Sequence, residues 1–141
     1  MPEKNVVQLT ILPSLARGGA TADPLSPDIQ NDHFRGAEII LHQTAQSSSQ
    51  AFPTLTVQGK IPGTTSYYKI GTLAPATAAT YTKRLVIYPG RTTALDSTAL
   101  STGAITQIND FLPPVWRVKS THAGTSTAAT VTYSVTANLY A

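Results

Sequence analysis

The residues of this 141-residue chain that could do chemistry are few: seven acidic residues, three histidines and no cysteine. The lack of cysteine excludes disulfides, thiol catalysis and thiolate metal sites. The serines fall in predicted turns or on the outward faces of predicted strands, and no Gly-x-Ser-x-Gly nucleophile motif occurs. We therefore predict no catalytic residue and no cofactor.

Two catalytic arrangements are the alternatives to this prediction. A Ser/His/Asp triad would need His33, His42 or His122, and nothing beside any of them in the sequence supports one. A glycosidase pair would need two acids that face one cleft. Most acids, such as Asp110, fall in predicted turns or near the N-terminus, where Asp commonly bonds its own backbone. An enzyme is therefore the least favoured interpretation.

Three residues form the best candidate for metal binding. Asp28, Asp32 and His33 lie close together in an irregular stretch and could offer oxygen and nitrogen ligands. Their spacing matches neither an EF-hand nor a zinc motif. Solvated loop residues are the favoured interpretation, and we predict no metal site.

The charge pattern bears on possible partners. The formal net charge is +3, but only Lys83 and Arg84 are adjacent basic residues, and no basic stripe with interleaved aromatics occurs. We predict no nucleic-acid partner. A mildly basic face that meets an acidic protein shell explains the charge at least as well. Only 12% of the residues are charged, against about 25% in an ordinary soluble domain, which is typical of surfaces that meet other proteins.

The apolar segments are too short for a membrane span. None approaches the roughly 20 apolar residues that a helix needs to cross a bilayer. The N-terminus has no signal-peptide apolar region. We expect no membrane partner and synthesis in a cytoplasm.

Aromatic side chains fall mainly on predicted strands. Core packing with polar tips at the rim is the default interpretation, and a sugar-binding platform that makes a glycan a possible ligand is the alternative. The residues concerned are Tyr67, Tyr68, Tyr81, Tyr88, Trp116, Tyr133 and Tyr140.

Short β-prone segments separated by turn signals run through the chain. Thr is the commonest residue, and Thr, Val, Ile and Tyr suit a pleated, half-buried surface. No amphipathic helix is evident, although 92–109 could hold a helical turn. The pattern predicts an all-β fold, an antiparallel β-sandwich (jelly-roll or Ig-like) of about 7–8 strands. The predicted strands are 5–12, 37–44, 52–58, 66–72, 81–88, 115–120 and 129–139.

The segment from Pro13 to Gly36 differs from the rest because Pro and Gly are frequent in it. We predict that 1–36 is an N-terminal strand followed by an extended arm or loop, and that 37–141 is the β-sandwich domain. Such an arm can order on a partner surface. The residues expected to contact a partner or another subunit are Pro13, Arg17, Pro24, Pro27, Phe34 and Arg35.

The core prediction follows from alternation of apolar and polar residues in the strands. Residues that share the inward face pack together between the layers. They are Leu55, Val57, Leu85, Ile87, Trp116, Val118, Val131, Tyr133 and Val135.

Three passages together resemble a family of small virion-associated proteins of tailed bacteriophages. The first is PTLTVQGK at 53–60 followed by YYKI at 67–70, and the second is LVIYPG at 85–90. The third is NDFLPPVWRV at 109–118, followed by His122 and TYSV at 132–135. Their order and spacing resemble that family over about 37–140, and the first 36 residues lie outside the resemblance.

The resemblance implies a structural β-sandwich in the virion, of the capsid decoration (cement) type, with no catalytic residues. It further implies the major capsid protein as partner, the capsid surface as location and, by analogy with decoration proteins of this size, a homotrimer. A tail, baseplate or fibre module, or a carbohydrate-binding β-sandwich for host attachment, are the alternatives.

Overall fold

A computed structural model describes residues 6–18, 24–47, 53–76, 78–90, 105–122 and 129–141. Within these ranges the chain forms nine strands and no helix, so none of them contains a helix that could cross a membrane. The strands are β1 (Val6–Gly18), β2 (Ile29–Gln30), β3 (Gly36–Gln46), β4 (Thr54–Lys60), β5 (Tyr67–Leu73), β6 (Tyr81–Ile87), β7 (Ile105–Ile108), β8 (Val115–Thr121) and β9 (Thr130–Tyr140).

The strands form two sheets, which confirms the predicted all-β, sandwich-like fold. The five-stranded sheet has the order β1-β9-β3-β6-β7, and the four-stranded sheet has the order β2-β8-β4-β5. All neighbours are antiparallel except β6 and β7, which run parallel at one edge of the five-stranded sheet. Of the region predicted to allow a helical turn, 105–108 is strand β7, and 92–104 lies outside the described residues.

Alternation along the strands builds the core. In β9 every second residue from Val131 to Leu139 is buried, while Thr, Ser and Asn lie between them on the outer side. β8 alternates in the same way, and Trp116 in it is fully buried. All nine residues predicted for the core are buried, with exposed fractions of 1% or less. Since β8 and β9 belong to different sheets, the core is the layer between the sheets.

The strand predicted at 5–12 is longer than expected. β1 runs through Pro13 to Gly18 and pairs with β9 along its length, with register shifts between Thr10 and Leu12 and between Leu12 and Leu15. A proline is tolerated in an edge strand or at a bulge, because a missing N–H costs least there. The prediction of an irregular segment from Pro13 was therefore wrong for residues 13–18.

The second half of the predicted arm is also held to the body. The Ser26 N–H donates a hydrogen bond of 2.9 Å to the Val118 carbonyl, and the Ser26 Oγ accepts a hydrogen bond of 2.8 Å from the Val118 N–H. The Asn31 amide donates to the carbonyls of Phe34 and Leu112, at 2.8 and 3.1 Å. β2 adds a short strand beside β8. Residues 24–35 thus lie along the four-stranded sheet and the segment before β8, instead of extending away from the body.

Candidate binding face

The outer surface of the four-stranded sheet gathers four basic side chains that are far apart in the sequence. Arg117 and Lys119 alternate with buried residues of β8 and so face outward. Lys60 faces outward from β4 by the same alternation. Lys69 of β5 pairs with the outward Gln58, and directly paired residues share a face. We call the outer surface formed by Lys60, Lys69, Arg117 and Lys119 the basic face.

A β-bulge places Lys69 and Tyr67 on this face. β5 pairs with β4 as Leu73–Leu55 and Gly71–Val57 on the inner side, and then shifts register by one so that Lys69 meets Gln58. Ile70 is the extra residue. Because side chains alternate with a period of two, a shift of one residue exchanges inner and outer positions. Without the bulge, Lys69 and Tyr67 would continue the inward series of Leu73 and Gly71.

Asp28 ties the segment before β2 to the basic face. Its Oδ1 accepts a hydrogen bond of 2.6 Å from the Tyr67 hydroxyl, and its Oδ2 lies 3.1 Å from Lys60 Nζ. These bonds, first that of Tyr67 and then that of Lys60, hold the pKa of the Asp28 carboxyl below its usual value. The same carboxylate raises the pKa of Lys60 and of Tyr67.

Arg117 is fixed in position by its neighbours. Its guanidinium lies over the Tyr67 ring, 3.4 Å from the ring centre, which is a cation–π contact. Its Nε also donates a 2.8 Å hydrogen bond to Gln58 Oε1. A charge held in this way loses little side-chain entropy when a partner binds, which favours recognition of a carboxylate.

The charge balance of this face is strongly one-sided. None of β2, β4, β5 and β8 contains an acidic residue, and the acid seen on the face is Asp28 from the segment before β2. Lys69 is exposed, and Lys60, Arg117 and Lys119 are half-buried along their stems. A flat surface with four cations and one carboxylate can bind an acidic surface of another molecule.

The outer surface of the five-stranded sheet is nearly neutral, and we call it the neutral face. Glu38 of β3 and Arg84 of β6 form an ion pair of 2.8 Å, and Asn138 donates to Glu38 at 3.3 Å. His42 Nδ1 and Thr82 Oγ1 lie 2.8 Å apart. The β9 side chains there are Thr, Ser and Asn. The charges of Glu38 and Arg84 on this face are therefore paired with each other.

A Ser–His pair does exist in the molecule, inside the core. Ser120 Oγ lies 3.4 Å from His122 Nε2, and the Tyr133 hydroxyl lies 2.6 Å from Ser120 and 2.8 Å from His122. The three residues are at most 3% exposed. A substrate therefore has no access to the pair, and the three side chains form a polar link between β9 of one sheet and the end of β8 in the other.

The residues expected to form arm contacts lie in different settings. Pro13, Pro27 and Arg35 are exposed, whereas Pro24 and Phe34 are half-buried. Arg17 is only 6% exposed. Its guanidinium donates to the carbonyls of Tyr133 and Pro13, at 2.7 and 2.8 Å, and lies 4.4 Å from the centre of the Tyr133 ring. Arg17 thus stabilises β1 against β9, which corrects its assignment to a projecting arm.

The metal candidate is not assembled as a cluster. Asp28 is directed toward Lys60 and Tyr67, while Asp32 and His33 are exposed in the loop after β2. In the described part of the chain, no group of three or more His, Asp and Glu side chains is placed to hold an ion.

The aromatic residues do not form one platform. Trp116 and Tyr133 are fully buried, and Tyr81 is 3% exposed. Burial raises the pKa of Tyr81 to about 12. Tyr67 is covered on one ring face by Arg117, and Tyr68 is 43% exposed beside Gly59. Three of the seven residues, Tyr81, Trp116 and Tyr133, therefore lie in the core.

Sequence reasoning raised a mildly basic face but did not identify the residues that form it, because the four cations lie on three strands, up to 59 residues apart. Alternation alone predicts that Arg117 and Lys119 share a face, and that Lys60 faces outward. It assigns Lys69 to the wrong side, since the bulge at Ile70 leaves no clear sequence signal. Comparisons with protein-family models, with curated proteins and with solved structures find no match to this chain.

Proposed function

We propose that this chain is a non-enzymatic structural protein of a virion, a capsid decoration protein that docks on an acidic protein surface through the basic face. The observation that carries the proposal is the gathering of Lys60, Lys69, Arg117 and Lys119 on one flat sheet, with a single carboxylate beside them. Charge complementarity of this kind steers association and selects the partner.

The rigidity of the face supports an acidic protein surface as its partner. Arg117 is held by Tyr67 and Gln58, and Lys60 is held by Asp28. A repeating shell offers the same flat contact at every lattice position, so a rigid face loses little entropy at each site. The outer capsid surface fits this description, and the resemblance to phage virion proteins points to the same location.

The position in the particle and the homotrimer stay predictions from that resemblance. A tail, baseplate or fibre position would use the same contact chemistry. The density of an intact particle, with the copy number of this chain, separates these positions.

The test is cosedimentation of the full chain with expanded capsids that lack it, at increasing salt. We expect binding that weakens as salt rises. The variant Lys69→Gln/Lys119→Gln removes two cations that make no side-chain hydrogen bond in the described structure, and lowers the net charge from +3 to +1. We expect its affinity to fall about tenfold or more, as for loss of two interfacial charges.

The matched control is Thr44→Glu/Thr136→Glu, which also lowers the net charge from +3 to +1 but places the new charges on the neutral face. We expect the control to bind within about twofold of the unaltered chain, since the charges lie away from the contact. Equal loss in both double variants, or no binding by the unaltered chain, would overturn the proposal. Tighter binding to mixed-sequence DNA than to capsids would assign the face to nucleic acid instead.

Truncation is not a useful test of this function. Removal of residues 1–36 would delete β1 and β2, and with them ten register pairs to β9 and the hydrogen bonds of Ser26 and Asn31. A truncated chain would therefore report loss of folding. Substitution of exposed side chains on the intact chain avoids this problem.

A further inference from the structure

β1 is an edge strand of the five-stranded sheet. It pairs with β9 on one side, and no described strand pairs with its other side. An open edge presents unpaired N–H and C=O groups that can pair with another strand. Natural edge strands are usually protected from pairing with another chain by lysines, prolines, bulges or short length. The part of β1 that lacks these features is therefore the part that can pair with a partner strand.

The two halves of β1 differ in this protection. The second half contains Pro13 and has register shifts on both sides of Leu12. The first half, 6–10, pairs with β9 at five consecutive residues without a shift. It has the sequence VVQLT, with no charge, proline or glycine. Val6 is 43% exposed and Val7 is 39% exposed. This first half is therefore an unprotected, apolar and regular edge.

We propose that residues 6–10 of β1 pair antiparallel with the same residues of a second copy of this chain, about a two-fold axis at Gln8. In that register Gln8 lies opposite Gln8 of the second copy, and Val7 lies opposite Leu9 of the second copy. Val6 lies opposite Thr10 of the second copy. An interface of this isologous kind uses the same patch on both chains, as most homodimers do.

The side-chain directions fit this register. Val7 and Leu9 pair across β9 with the buried Leu139 and Ala137, so they lie on the inner side of the sheet. The Val7–Leu9 contacts between copies would therefore continue the apolar layer. Gln8 pairs with Asn138 on the outer side, where two glutamine amides can hydrogen-bond each other. The two five-stranded sheets would become one sheet of ten strands.

The lack of charge in residues 6–10 and their complementarity to themselves favour a second copy of this chain as the partner of this edge, over the acidic partner proposed for the basic face. Residues 6–10 carry no cation, so they offer nothing to an acidic surface. They do match themselves, since Val7 meets Leu9 and Gln8 meets Gln8 in the antiparallel register. The edge belongs to one sheet and the basic face to the other, so one molecule can make both contacts. The proposed pairing does not depend on the proposed function. It joins two copies about a two-fold axis, and it therefore differs from the homotrimer that the resemblance implies.

The first test is the mass of the full chain in solution, measured by sedimentation over a range of concentrations. Five residue pairs form a small interface, so we expect a reversible dimer whose fraction rises with concentration. The variant Gln8→Lys places two cations opposite each other at the axis, and we expect it to be monomeric with unchanged thermal stability. Thr44→Lys adds the same charge to β3, which is paired on both sides, and we expect it to dimerise normally.

The second test uses the absence of cysteine from the chain. In Gln8→Cys the two thiols would face each other, because the Cβ atoms of directly opposed residues lie about 4.5–5.5 Å apart. Mild oxidation should give a disulfide-linked dimer, and Thr44→Cys should stay monomeric. A chain that is monomeric at all concentrations, a trimer unaffected by Gln8→Lys, or equal cross-linking of both cysteine variants would overturn the proposal.

Discussion

The two outer surfaces of the sandwich are built on the same strand alternation and yet carry opposite kinds of chemistry. The neutral face pairs its charges internally, with Glu38 bound to Arg84 and to Asn138. The basic face holds four cations against one carboxylate, and one of these cations, Arg117, is stacked on Tyr67. A surface whose charges are already paired gains little from a charged partner, whereas a surface with excess charge of one sign gains more.

The difference in charge between the two faces comes from a register shift in one strand as much as from composition. β3 and β9 of the neutral face keep register from Gly36 to Gln43. β5 of the basic face changes register at Ile70, and this single residue turns Lys69 and Tyr67 outward. The bulge in β5 therefore positions two side chains of the basic face, and variants of either face should separate their roles.

Insertion of one alanine between Val57 and Gln58 should have the largest effect. The inserted residue would pair with Ile70 and restore a regular register between β4 and β5, which would turn Lys69 and Tyr67 toward the core, where an unpaired ammonium is strongly unfavourable. We expect a loss of about 4 kcal/mol or more in the free energy of unfolding, measured by urea denaturation.

The control for this insertion is Ile70→Ala, which keeps the bulge and trims a partly buried side chain. We expect it to cost about 1–2 kcal/mol and to leave capsid binding intact. If the insertion and the substitution had equal effects, the bulge would have no special role in placing the basic face.

Glu38→Gln should have a smaller effect on the free energy of unfolding, and it should leave binding nearly unchanged. The carboxylate is 12% exposed and accepts bonds from Arg84 and Asn138. Loss of its charge weakens the bond to Arg84, and we expect about 1 kcal/mol lower stability by thermal unfolding. Binding to an acidic partner should stay within about twofold, since the change lies on the neutral face. If Glu38→Gln weakened binding to the acidic partner as much as Lys69→Gln/Lys119→Gln does, the distinction between the basic face and the neutral face would be wrong.

The pH dependence of the Asp28 contacts should be the smallest effect. The folded-state pKa of Asp28 lies below its usual value of 3.8, so its stabilisation is complete above that pH and is lost as the pH falls through the folded-state pKa. The pKa of Lys60 lies above its usual 10.5, so its contribution is lost as the pH rises through that higher value. Together they stabilise the segment before β2 between these limits.

NMR titration of the Asp28 carboxyl checks this prediction. In Tyr67→Phe the carboxyl loses its largest pKa-lowering contact, and we expect the pKa of Asp28 to rise toward 3.8. Asp28→Asn should remove the acid-dependent loss of amide protection in residues 24–30, while the Glu38–Arg84 region stays unchanged. An unshifted titration in Tyr67→Phe would show that the hydroxyl contact does not form in solution.

The regular strands could be predicted from the sequence, and the irregular ones could not. Each of the seven predicted strands overlaps an observed strand, because period-two alternation signals a half-buried strand directly. β2 has two residues and β7 has four, which is too short for alternation to show. β1 was predicted to end before Pro13, since the tolerance of an edge strand for proline depends on which strand lies at the edge.

The class of the fold and the inner surface of the sheets follow from local sequence pattern. Alternation and β-branched residues identify Trp116, Tyr133 and the other core side chains, since the order of apolar and polar residues is a property of each strand alone. Which outward residues meet depends on how the strands pair. Lys60, Lys69 and Arg117 come together because β4 pairs with both β5 and β8, and because the bulge at Ile70 reverses the side on which Lys69 lies. Register and strand order depend on contacts between distant segments, and no single segment encodes them.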